Sequence, residues 1–242
     1  MGAIDQQTVR RWAGWAGLVS IALLVISIAL VIAAPMPDKS TAEIVAWWVN
    51  NREVGLTAAA LTVLSTAAFL WFLGYLHHSL STTGAGALSS IVLASGLYTV
   101  TVETVGSALP PFLTAVLVNR PGVSPDASLV HTLVDLAFGA VALIDVGLAV
   151  FLLSLGLLFA RGALQPGWAS WVAYVGAALS LIGAGSAFFV PNAGTPNPAT
   201  FICSLIGTVL FLVVVGTVSI AALRSRNAGA APDGDGAAPT VT

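Results

Sequence analysis

Hydrophobic positions along this chain fall into long unbroken runs, not into the alternating or one-sided stripes of a soluble fold. Six runs can cross a hydrocarbon core of about 30 Å, which takes roughly 20 helical residues. They are 12–34, 54–76, 87–109, 129–159, 168–190 and 200–223. A β-barrel would show ten-residue alternations instead, and helices are the remaining way to satisfy the backbone in lipid. The pattern predicts an all-α membrane protein: a bundle of about six transmembrane helices in one domain over 1–226. Residues 227–242, dominated by Ala, Gly, Pro, Asp and Thr, are expected to form a disordered cytoplasmic tail.

Polar residues between the runs set the expected topology. Arg10 and Arg11 precede the first run as they would in a signal peptide, but several features favour a retained helix. The run is long, Trp12 and Trp15 suit an interfacial anchor, Ile32 breaks the cleavage pattern, and Pro35-Met36-Pro37 follows. With both termini inside, five basic residues (Arg10, Arg11, Arg161, Arg224, Arg226) face the cytoplasm. Three (Lys39, Arg52, Arg120) face outward, so the expectation is N-in and C-in. In the first outer connection, Ser40 and Glu43 form a capping-box pattern ahead of Ile44, Val45, Trp47 and Trp48. This reads either as a short interfacial helix with its Trp pair at headgroup level or as the start of the second span. The stretch 110–128, rich in proline, is expected to be a loop whose apolar middle, 112–118, stays against the membrane. A similarity links Phe69-Leu70-x-x-Leu73-Gly74-x-Leu76 to Phe151-Leu152-x-x-Leu155-Gly156-x-Leu158. It is open to two readings, a parallel duplication or chance among apolar helices.

Composition sharpens this picture. Charged residues are 7% of the chain and hydrophobic ones 57%, too few charges to cover a water-facing surface. A net charge of −2 provides no basic field, so nucleic acid is not expected as a partner. Cys203 is the sole cysteine, which excludes an internal disulfide or a multi-cysteine metal site. One Lys against seven Arg, with abundant Ala, Gly and Val, suits a high-GC bacterial source, hence an inner-membrane location.

Within the runs, three carboxylates carry the candidate chemistry: Glu103, Asp135 and Asp145. Each costs on the order of 2.5–3.5 kcal/mol at the bilayer centre on the insertion scale. Glu103 and Asp135 lie near the outer ends of the third and fourth spans and are expected to meet. Asp145 lies near mid-membrane. On the third span Ser95, Thr99, Glu103 and Ser107 recur every fourth residue, a stripe that either lines a polar crevice or bonds its own i−4 carbonyls. On the fourth, His131 and Asp135 are one turn apart and Asp145 falls within about 40° of His131 around the helix. All three are expected to point inward. Buried acids of this kind often do no more than fix helix packing. His77-His78, at the inner end of the second span, is a weak metal candidate, and no metal site or cofactor is expected. Phosphate loops, nucleophile elbows and zinc-protease motifs are missing.

Three stretches carry a resemblance: 69–74 (Phe-Leu-Trp-Phe-Leu-Gly), Leu133-Val134-Asp135-Leu136 and Gly167-Trp168-Ala169-Ser170-Trp171. Over roughly 40–225 the chain resembles a broad group of uncharacterised six-helix membrane proteins common in actinobacteria. That resemblance implies no activity, and Glu103 and Asp145 are not features of the group. Three functions are therefore weighed. An accessory or scaffold protein should have acids tied off by hydroxyls and no cavity. An enzyme acting on a hydrophobic, lipid-like or isoprenoid small molecule, with acid catalysis by Glu103 or Asp135, needs an apolar cavity reaching both. A proton-linked transporter needs a polar path to the cytoplasmic side. The lipid bilayer is the one partner expected in every case.

Overall fold

A computed structural model describes residues 6–118, 126–185 and 198–224. All six apolar runs form helices there, and no strand occurs among the described residues. The elements are α1 (Gln6–Val31), α2 (Thr41–Asn50), α3 (Arg52–Thr82), α4 (Gly86–Glu103), α5 (Leu109–Leu117), α6 (Ala127–Ala160), α7 (Ala169–Ala184) and α8 (Pro198–Arg224). A π-helical turn, Thr104–Ala108, joins α4 to α5. Among the described residues five helical segments are long and apolar enough to cross a membrane, and α7 is a shorter apolar helix. The end of the fifth run, the loop prolines 121 and 125, and the tail at 227–242 lie outside the described residues.

The spans alternate in direction and form a ring. In it α1 packs on α3, α3 on α4, α4 on α6, α6 on α7, α7 on α8, and α8 back on α1. We call the end holding α2 the upper end. Small residues draw the helices together: α1 turns Ala13, Gly14, Gly17, Ser20 and Ser27 inward, while Trp12, Trp15, Val19, Val25 and Ile26 face out. With lipid outside there is little hydrophobic gain in hiding large side chains, so close packing and interhelical hydrogen bonds hold the bundle. Hydroxyls meet across the α1–α3 seam, Ser20 Oγ with Ser65 Oγ at 3.1 Å and Ser27 Oγ with Thr62 Oγ1 at 2.8 Å. At the lower end, the Ser89 hydroxyl donates to the His77 carbonyl at 2.9 Å and lies 2.8 Å from His77 Nδ1. His77 thus ties α3 to α4, and no cluster of metal-binding side chains occurs among the described residues.

A large apolar layer fills the lower half of the ring, built from Phe72, Leu73, Leu76, Leu80, Leu152, Leu155, Leu158 and Phe159. Above it Phe69, Phe151 and Phe211 form a triangle with ring centroids 5.7–5.9 Å apart. The first two of these belong to the two similar sequence motifs, which therefore meet face to face.

One sequence expectation is corrected at the upper end, and one left open is decided. The stretch from 110 is not a loop: the third span continues as helix to Leu117. Pro110 and Pro111 lack N–H groups, and they sit at the first positions of α5, where those groups are expendable. The π turn absorbs the mismatch, with the Leu109 N–H donating to the Thr104 carbonyl. The segment after Ser40 is a separate capped helix, with the Ser40 N–H donating to Glu43 at 3.0 Å and the Glu43 N–H to Ser40 Oγ at 3.3 Å. Of its Trp pair, Trp48 is buried within the protein and Trp47 partly so. Ile44 and Trp48 are buried against Val118, Val130 and Val134, so α2 covers the upper part of α6.

Candidate functional site: an acid-lined cavity between the helices

Between α1, α3, α4, α6 and α8 lies a cavity of about 250 Å³. Its floor is aromatic, from Phe69 and Phe211, and Leu24, Ile28, Val100, Ile144 and Leu148 supply apolar wall. Both Glu103 and Asp145 line it, Glu103 from the end of α4 and Asp145 from the middle of α6. Ile28 and Leu205 line it too, yet are 36% and 50% exposed to the outside. This puts the mouth between α1 and α8, on the lateral surface of the bundle. The two helices close on each other at the lower end, where Gly14 meets Leu223 and Gly17 meets Ser219, and the opening lies above that seam.

The two acids differ in setting. Asp145 is buried, 1% exposed. The Ser204 hydroxyl of α8 donates to its carboxyl, while Oδ2 is enclosed without a hydrogen-bond partner. Gly183 of α7 lies directly behind Oδ2, so three helices converge on this carboxylate. Glu103 is half-buried, precedes the π turn, and meets no partner among the described residues. A carboxylate withdrawn from water without a counter-charge is costly, so two such carboxyls facing one cavity, neither with a counter-charge, call for an explanation.

The other candidates separate into two groups. Thr99 and Ser107 line the cavity. Ser95 is buried but does not reach it, and its hydroxyl donates to the Ile91 carbonyl at 2.7 Å. Thr99 donates likewise to the Ser95 carbonyl at 2.8 Å. His131 and Asp135 touch each other, Nδ1 to Oδ2 at 3.1 Å, but their side chains are 30% and 50% exposed and neither lines the cavity. The expectation that all three polar groups of α6 point inward, and that Asp135 meets Glu103, is therefore corrected. Ten residues turn an α-helix about 80° short of a full revolution, enough to carry Asp135 off the inward face of Asp145. Val134 occupies the inward position and packs beneath α2.

Sequence reading missed Ser20, Ser27, Thr62, Ser65 and Ser204 as cavity residues. A signal existed on α1, where Ser20 and Ser27 stand seven residues apart in line with Ala13 and Gly17, one polar face on an otherwise apolar helix. Comparison with protein-family models, curated proteins and solved structures found no match.

Proposed function

We propose that this chain is a polytopic membrane protein that admits a lipid-like small molecule sideways from the bilayer. The polar end of that molecule meets Glu103 and Asp145. One observation carries the reading: a lateral cavity of about 250 Å³ holds two carboxyls, and one carboxyl oxygen is buried without a partner. A purely structural role would account for the bond of Asp145 to Ser204 and its close packing against Gly183, but not for Glu103, which meets no hydroxyl among the described residues, nor for the open space beside both acids. A proton-linked transporter calls for polar groups continuing downward, whereas the floor of Phe69, Phe151 and Phe211 leads into leucines. The topology that goes with the proposal is six crossings with both termini in the cytoplasm of a bacterial cell and the cavity in the outer half of its inner membrane. The excess of arginine at the lower end and the exposed Trp12, Trp15, Trp168 and Trp171 there support it.

A second reading, acid catalysis on an isoprenoid-like substrate, is favoured by the aromatic floor beside the acids. A protonated Glu103 would transfer its proton to an alkene carbon, leaving a carboxylate and a carbocation held over Phe69 and Phe211. Loss of a proton from a neighbouring carbon to a carboxylate would complete an isomerisation with no added reactant.

An alkyl diazirine probe in native membranes tests the binding reading. Photolysis should label peptides containing Leu24, Ile28 and Leu205, and Leu24→Trp, which fills the space, should remove that labelling. Labelling spread evenly over the lipid-facing helices and indifferent to Leu24→Trp rejects it.

A further inference from the structure

The polar atoms around the cavity are of one kind. Nine hydroxyl side chains line it, and no lysine, arginine, histidine, asparagine or glutamine does so among the described residues. Most of these hydroxyls have already spent their proton. The protons of Ser27 and Thr62 are taken up between the Ala58 carbonyl, at 2.8 and 3.0 Å, and each other's oxygen, 2.8 Å apart. Ser65 donates to the Ser20 carbonyl at 2.9 Å, which leaves the Ser20 hydroxyl to donate to Ser65 Oγ. Thr99 donates to Ser95 and Ser204 to Asp145. A hydroxyl whose proton is committed to another group of the protein presents only lone pairs to a ligand. Glu103 and Asp145 add carboxyl oxygens to the lining, Oδ2 of Asp145 being enclosed against Gly183.

Such a wall repels anionic headgroups and gives a neutral acceptor little to bind. A donor-rich positive group suits it: an ammonium carries three N–H donors and no acceptor, and it supplies the counter-charge that a carboxylate out of water lacks. The faces of Phe69 and Phe211 below add a cation–π surface. We infer that the occupant of this cavity is a lipophilic primary or secondary amine, its ammonium between Glu103 and Asp145 and its chain leaving through the α1–α8 mouth. This rests on the binding reading above and adds the chemical class of the ligand.

Dodecylammonium, dodecanol and dodecanoate of equal chain length separate the two levels. Saturable binding of each radiolabelled probe is measured to the full chain in phosphatidylcholine nanodiscs at neutral pH. The ammonium should bind at least about tenfold tighter than the alcohol, as hydrogen bonds to charged groups outweigh neutral ones, and the carboxylate weakest. Glu103→Gln, which keeps the side chain's size and removes its charge, should erase most of that preference without lowering the thermal midpoint. Asp145→Asn should act in the same direction wherever the variant remains folded. If alcohol and ammonium bind equally and Leu24→Trp abolishes both, the amine assignment falls while the cavity reading stands. If Glu103→Gln and Asp145→Asn both fold and leave the preference intact, the assignment falls as well. If no probe binds saturably, both inferences fall together.

Discussion

Gly183 and Asp145 touch across the α6–α7 seam so closely that a methyl group added at residue 183 would stand 2.5 Å from Asp145 Oδ2 and 2.9 Å from Ser204 Cβ. The carboxylate is thus set by backbone packing as well as by its bond to Ser204. Gly183→Ala should destabilise the protein by about 1–3 kcal/mol, the usual cost of overpacking a filled interior. Reversible unfolding in mixed micelles measures this. A neutral Gly183→Ala would mean that the three helices are not locked around Asp145.

A second close approach lies beside Glu103. A methyl group at Gly106, in the π turn, would overlap the Ala140 side chain of α6. Gly106→Ala alone should cost about 1–3 kcal/mol, and the exchange Gly106→Ala with Ala140→Gly should recover most of the loss. Failure of the double variant to recover would show that the π turn, not the side-chain volume, sets this contact.

His131 and Asp135 make the opposite prediction. Their 3.1 Å contact lies on the outer surface of the bundle, and exposed pairs contribute about 0–1 kcal/mol. His131→Ala and Asp135→Asn should leave both the thermal midpoint and amine binding nearly unchanged. A loss of binding on Asp135→Asn with the fold intact would return this residue to the site.

Acid should loosen α2. Hydrogen bonds from the Ser40 side chain and backbone hold the Glu43 carboxyl below its ordinary value of 4.5. A lowered value in the fold means that the ionised form stabilises the cap. That contribution is complete above the unfolded value and disappears as pH falls through the folded one. Fluorescence of Trp47 and Trp48 should therefore change in acid below about pH 4.5, the unshifted carboxylate range. Glu43→Gln should remove that part of the titration, and a profile identical to wild type would refute the cap's role.

The helices were legible because a run of twenty apolar residues has one structural outcome in lipid. The capped helix at Thr41–Asn50 was legible for a similar reason, since Ser40 and Glu43 specify their bond by local spacing alone. The continuation through Pro110-Pro111 was not, because prolines read as a break unless a π turn shifts the register ahead of them. The site was half legible. Glu103 and Asp145 stood out as acids in apolar runs, but Asp135 looked equivalent to Asp145 until α2 packed over Val130 and Val134. The lining hydroxyls of α1 and α3 were hidden because serine and threonine are common in membrane helices, and only the fold shows which of them face one space.

In the membrane placement proposed above, the mouth between Ile28 and Leu205 opens onto acyl chains, not onto water. What governs occupancy is then the mole fraction of the ligand within its leaflet, set by its own partitioning. A compound bound only modestly once inside the membrane would register as potent when its dose is expressed per volume of buffer. That apparent potency would rise or fall with the amount of lipid in the assay, while the complex itself stayed the same.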